Sequence, residues 1–143
     1  MSRPIHVLNG PNLNRLGTRE PAVYGTTTLA EIEALCRATD PAIEFHQTNS
    51  ETQLIEWVHA AIDAPAAGIV INPAAFSFTS LALLDALKMF PGPLVEVHIS
   101  NIHRREPLYH KSLVSTAATA VIAGLGPQGY ATAVHAMERL LAR

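Results

Sequence analysis

Short runs of apolar residues alternate along the chain with longer stretches in which apolar side chains recur every three or four positions. Pro4 to Leu8 (PIHVL) is the first short run and reads as a strand. Ala42 to Gln47, Gly68 to Ile71, Leu94 to Ile99 and Thr119 to Ala123 are the others. Gly68 to Ile71 is apolar throughout, as expected of a strand covered on both faces. Between the strands, Leu29, Ile32, Leu35 and Cys36 fall at helical spacing behind Thr28-x-x-Glu31, which has the form of a capping box. Leu54, Trp57, Val58, Ala61 and Ile62 make an apolar stripe behind a second such box, Ser50-x-x-Gln53. A third helix is predicted over 79–89, stopped by Pro91-Gly92-Pro93, and a last one over 129–141.

Strands that alternate with helices argue for a parallel sheet with helices on both faces. Five strands in a chain of 143 residues point to a flavodoxin-like three-layer sandwich with strand order 2-1-3-4-5. No linker or low-complexity stretch divides the chain, so residues 1–143 are expected to form a single domain. Composition narrows the classes of function. Ten basic and twelve acidic residues give a formal charge of −2, and without a basic block no nucleic-acid footprint is present. No apolar run approaches the roughly 18 residues of a membrane span. The N-terminus has no signal-peptide pattern, and a cytoplasmic location is expected. The lone cysteine, Cys36, lies on an apolar helix face, so a disulfide scaffold is excluded. With 48% hydrophobic and 15% charged residues, the chain is expected to hide part of its surface in an oligomer.

In open parallel sheets ligands bind beyond the carboxyl ends of the strands, where the strand order reverses. In the order given, strands 1, 3 and 4 meet there. Strand 1 runs into Asn9, Asn12 and Asn14 and then Arg19 and Tyr24, within a loop of about eighteen residues, long enough for a lid. Strand 3 runs into Asn72-Pro73, and strand 4 into His98, Ser100 and Asn101. Taken singly, an Asn in a loop serves a turn and a Tyr packs. Their convergence on one crevice is what points to a site. A phenol titrates near pH 10, and a neighbouring cation such as Arg19 favours its ionised form, so Tyr24 is a candidate general base. Glu96 and His98 are two apart on a strand and face the same side, where the carboxylate would orient a protonated imidazole. His98, His103 and His110 lack acidic or cysteine partners at ligand spacing, so no metal is expected. Gly124-Leu125-Gly126-Pro127-Gln128-Gly129 matches G-x-G-x-x-G, but no strand with an acidic residue follows it. A tight strand-to-helix turn is the expected role of these glycines.

VLNGPNLNRLGTREPAVYG (Val7 to Gly25) resembles the N-terminal signature of the type II 3-dehydroquinate dehydratases. GIVINPAAFSFTS (Gly68 to Ser80), VEVHISNIHRRE (Val95 to Glu106) and GLGPQGY (Gly124 to Tyr130) are similar to later blocks of that family, in the same order and spacing. The resemblance implies a flavodoxin-like fold, a dodecamer built from trimers, and no cofactor. It also implies a small cyclic carboxylic acid as substrate, and trans elimination of water from 3-dehydroquinate through an enolate. Tyr24 would then be the base, with Arg19 lowering its pKa, and Asn12 would help to hold a water at the enolate. His98 would protonate the leaving hydroxyl, oriented by Glu96. Asn72 and the backbone amides of Ile99 and Ser100 would hold substrate, Asp85 would reach a neighbouring subunit's site, and Arg105 would line the pocket.

The departures from the family pattern gather in the substrate pocket. Phe78 stands where the family has a histidine and Tyr109 where it has an arginine, both of which bond ring hydroxyls in the family. Ala74 replaces a glycine, Leu113 an aromatic hydroxyl residue and Leu84 an arginine. Each hydroxyl left buried without a partner would cost about 1–3 kcal/mol. Two further readings stay open on sequence: the same chemistry on a modified substrate, and a non-catalytic relative that binds a small acid. A flavin-binding role would follow from the fold alone.

Overall fold

The computed structural model describes residues 3–143. Five strands, β1 (Ile5–Asn9), β2 (Glu44–Gln47), β3 (Gly68–Asn72), β4 (Leu94–His98) and β5 (Ala120–Ala123), form one parallel sheet in the order β2-β1-β3-β4-β5. The expected order is the one observed. β1, β3 and β4 are buried along their whole length, whereas β2 and β5 are edge strands with exposed residues. Register places Ile5 opposite Gly68 and Asn9 opposite Asn72. The polar carboxyl ends of the two central strands therefore end side by side.

Alternation within the strands sorts the core into two layers. Ile5, Val7, Val70, Val95 and Val97 pack with Ile32 and Cys36 of α2 (Leu29–Thr39) and with Ala133, Val134 and Met137 of α6 (Gln128–Leu141). Leu8, Ile69, Ile71 and Leu94 pack on the other face with Leu54 and Val58 of α3 (Glu51–Asp63) and Leu83 and Leu87 of α5 (Leu81–Lys88). Fully burying one such aliphatic side chain contributes about 1.5–3 kcal/mol, so these layers hold the fold together. Cys36 is a packing residue. Burial, reinforced by Glu33 and opposed by Arg37, pushes its thiol up to about 12.

The helix starts follow their cap chemistry. At α2 the capping box is complete: Thr28 accepts from the Glu31 amide at 3.2 Å, and Glu31 accepts from the Thr28 amide at 3.3 Å. At α3 only half of it forms. Ser50 accepts from the Gln53 amide, but the Gln53 side chain accepts from the Thr48 hydroxyl at 2.6 Å. The helix expected over 79–89 is α5, and a short helix that was not expected, α4 (Phe76–Thr79), precedes it, with Ser80 between them. Ser80 adopts extended backbone, and its buried hydroxyl accepts from the Leu83 amide at 2.9 Å. A serine satisfies a free helix N–H better as a cap than within a helix, so the chain restarts there.

Two glycine positions shape the site end of the sheet. A Cβ at Gly10 would lie 2.3 Å from the Pro73 carbonyl oxygen, so only glycine lets β1 and β3 end in contact. Gly124 has φ +91°, and its amide donates to the His98 carbonyl, while the Gly126 amide donates to that of Ile99. The glycine-rich segment that mimics a dinucleotide motif thus turns the chain from β5 into α6. It also pins the carboxyl end of β4.

Candidate active site

A cleft opens beyond the carboxyl ends of β1, β3 and β4. Asn12, Arg19, Tyr24, Asn72, His98, Ile99, Ser100 and Arg105 all line it. Glu96 lies behind His98 and is wholly buried. Asp85 lies apart from the cleft, on the exposed side of α5. Asn14 is exposed and stays outside, and Asn101 caps a 3-10 turn by accepting from the His103 amide. Among the described residues no three His, Cys, Asp or Glu side chains gather as a metal site would need.

The segment expected as a loop between 9 and 26 carries structure of its own. A 3-10 turn (Leu13–Arg15) buries Leu13, and one helical turn, α1 (Pro21–Tyr24), presents Tyr24 to the cleft. Asn12 sits in the left-handed region at φ 68°, where its amide donates to the Asn49 side chain at 2.9 Å. Arg19 places its guanidinium carbon 4.5 Å from the Tyr24 ring centroid while pairing with Glu20 at 2.9 Å. The hydroxyl of Tyr24 has a different partner. Arg105 Nη1 donates to it at 2.8 Å. Burial works against the Arg105 charge, but the contacts with Tyr24, Tyr109 and Glu106 outweigh it and its pKa rises. His110 Nε2 donates to the Arg105 carbonyl at 2.6 Å, and the Arg105 guanidinium carbon lies 4.1 Å from the Tyr109 ring centroid.

Across the cleft, His98 Nε2 donates to Glu96 Oε2, and Ser115 Oγ donates to Glu96 Oε1 at 2.6 Å. Burial alone would protonate this carboxyl, but the bonds from His98 and Ser115 win, and its pKa lies below the usual range. The buried Ser112 hydroxyl adds to that stabilisation without itself making a hydrogen bond of full geometry. With Nε2 engaged, Nδ1 is the ring nitrogen left to meet a ligand, and it donates only as imidazolium. Glu96 supplies the counter-charge for that form.

On the opposite face of the sheet, Asn72 Nδ2 donates to Tyr130 Oη at 2.8 Å, and Tyr130 Oη donates to Asn9 Oδ1 at 2.8 Å. Asn72 Oδ1 also accepts from the Ala74 amide, so much of this side chain is committed to shaping the cleft floor. Burial drives the Tyr130 phenol well above its usual range despite its bond with Asn72, which keeps it a neutral donor. The remaining wall is aromatic. Phe78 lies with its centroid 5.3 Å from that of Tyr109, edge to face, and 6.3 Å from that of His98.

Sequence reasoning missed three partners: Arg105 on the Tyr24 hydroxyl, Ser115 on Glu96, and Tyr130 between the two asparagines. A signal existed for Tyr130, which occupies the apolar stripe of α6 with Ala133, Val134 and Met137. A phenol there must find buried acceptors.

Comparison with known proteins fits this geometry. The model of the family described as dehydroquinase class II matches residues 3–138. The chain belongs to that family. A protein of Bartonella bacilliformis named 3-dehydroquinate dehydratase is 55% identical, over 99% of this chain and 91% of its own. One of the same name from Streptomyces coelicolor is 54% identical, over 97% and 89%. The crystal structure of type II dehydroquinase from Propionibacterium acnes superposes with a TM-score of 0.89 at 46% identity, covering 100% of this chain and 99% of that one. The enzyme from Butyrivibrio crossotus gives 0.88 at 35%, covering 96% and 98%.

Proposed function

We propose that this class II dehydroquinase is a 3-dehydroquinate dehydratase, a lyase that converts 3-dehydroquinate to 3-dehydroshikimate in shikimate-type metabolism. The observation that carries the reading is the pairing, across one cleft, of a tyrosine hydroxyl held by a guanidinium with an imidazole backed by a buried carboxylate. Tyr24, as phenolate, removes the proton alpha to the ketone, and the two guanidinium groups of Arg105 and Arg19 stand where its negative charge resides. The electrons pass to the ketone oxygen as an enolate, which Asn12 stabilises through a held water. On collapse of the enolate the C–O bond breaks, and His98 gives its proton to the departing hydroxyl, which leaves as water. Glu96 orients His98. Asn72 and the amides of Ile99 and Ser100 hold the substrate, the amides at its carboxylate. Arg105 serves the base as well as lining the pocket, and Asp85, exposed on α5, reaches a neighbouring subunit's site.

The same reading makes residues 1–143 one catalytic domain of a cytoplasmic dodecamer built from trimers, working without metal or cofactor. A chain of 15.4 kDa should then elute as an assembly near twelve times that mass by light scattering, and a monomer peak would contradict it. A non-catalytic binding role is not favoured, since relatives 54–55% identical over nearly the whole chain are named 3-dehydroquinate dehydratases. The direct test is formation of the conjugated enone, followed by ultraviolet absorbance, when purified protein meets 3-dehydroquinate. Folded protein giving no enone would refute the assignment.

A further inference from the structure

Glu96 is wholly buried, and each of its two oxygens has its own partner: Oε2 meets His98 Nε2, and Oε1 accepts from Ser115 Oγ at 2.6 Å. A carboxylate in such a place rotates unless both oxygens are tied, and rotation would carry the imidazole with it. Ser115 sits in a 3-10 turn (Val114–Thr116) whose Val114 is packed in the core beside Leu83 and Leu94, so the hydroxyl is delivered by a rigid element. We infer that Ser115 is a positioning residue for the dehydration, fixing the Glu96 carboxylate so that the carboxylate fixes the orientation and proton of His98. This rests on the reading of His98 as the acid.

The pair is well isolated. Its neighbours across the ladder, Ile71 of β3 and Val121 of β5, carry no charge. α4 has no ionisable residue, and Asp85 and Lys88 of α5 are exposed. On the far face, α6 offers only the neutral Tyr130 to the sheet core. The titratable and charged groups that share the cleft with His98 are Tyr24, Arg19, Arg105 and Tyr109. Ser112, the other buried hydroxyl near Glu96, adds a smaller stabilisation of its charge without completing a hydrogen bond, so it ties the carboxylate less than Ser115 does. Removing Ser115 therefore acts on Glu96 and His98 first.

The test compares wild type with Ser115→Ala and Ser115→Thr. Loss of a bond to a charged group predicts kcat lower by about tenfold in Ser115→Ala, with KM within about twofold. Without the serine donor the carboxylate keeps more charge and holds the imidazolium more firmly. The limb of the kcat–pH profile on which His98 loses its proton then moves to higher pH. Ser115→Thr, which keeps the hydroxyl, restores both kcat and the limb. A Ser115→Ala enzyme with wild-type kcat and profile overturns the inference. So does a fall in kcat with an unmoved limb that threonine does not rescue, since that marks a packing role. An NMR titration of the His98 imidazole in wild type and Ser115→Ala reads the relay without turnover. If wild type makes no enone the proposed function fails, yet an unmoved His98 titration would refute this inference separately.

Discussion

At the scale of single residues, the site mixes partners close in sequence, such as Glu96 and His98, with partners far apart. Tyr24 and Arg105 are 81 positions apart, and nothing in the spacing of either segment announces their bond. Tyr24, Arg19 and His98 were legible because strand ends dictate where loops converge. The expectation that Arg19 sits beside the phenol is met at the ring face, while the hydroxyl belongs to Arg105. Phe78 is the residue where chemistry and environment agree least. It borders His98 and Tyr109 with a ring that offers a substrate hydroxyl no hydrogen bond. Restoring one bond to a buried hydroxyl is worth about 1–3 kcal/mol, so Phe78→His should raise kcat/KM for 3-dehydroquinate roughly 5- to 150-fold. Steady-state kinetics checks this, and a decrease would mean that the aromatic wall itself recognises the substrate.

At the scale of elements, alternation and helical spacing gave the five strands and the long helices, since both periodicities are set by which face is buried. The short helix α4 and the cap at Ser80 were not legible, because a serine beside an apolar stripe fits a first helical turn as well as a cap. Its buried bond to the Leu83 amide decides in favour of the cap. The glycine-rich turn after β5 was read correctly as a turn, but its two bonds to the end of β4 depend on a packing that only the folded chain provides. Ala74, between β3 and α4, sits at φ 52°. A β-carbon there costs roughly 1–2 kcal/mol, part of which glycine's greater unfolded-chain entropy offsets. Ala74→Gly should therefore raise the unfolding free energy by roughly 0.5–1 kcal/mol in urea titrations. A loss of stability would show that the alanine methyl contributes packing that outweighs the strain.

At the scale of the whole molecule, two buried ionisable groups tie stability to pH on the acid side. Burial lowers the His6 pKa and, helped by His46, outweighs the contact with Glu44 at 2.8 Å, whose side chain is half exposed. A histidine that binds its proton less readily folded than unfolded contributes stability present above the unfolded value of about 6.5 and lost as pH falls through its folded value. The depressed Glu96 behaves likewise in a lower window, its contribution present above about 4.3 and lost as pH falls through its own folded value. Unfolding free energy should thus decline in two stages on acidification, and His6→Gln should remove the first. A profile unchanged by that substitution would place the proton uptake elsewhere. The fold as a whole brings a phenol from the loop after β1 and an imidazole from the end of β4 to one cleft, and on that the functional account depends. The most direct test replaces the phenol oxygen alone. Tyr24→Phe should bind substrate but lose roughly a hundred- to ten-thousandfold in kcat for enone formation, the scale of a general base's contribution. Turnover at the wild-type rate in folded Tyr24→Phe would contradict the account, because another group would then be taking the proton.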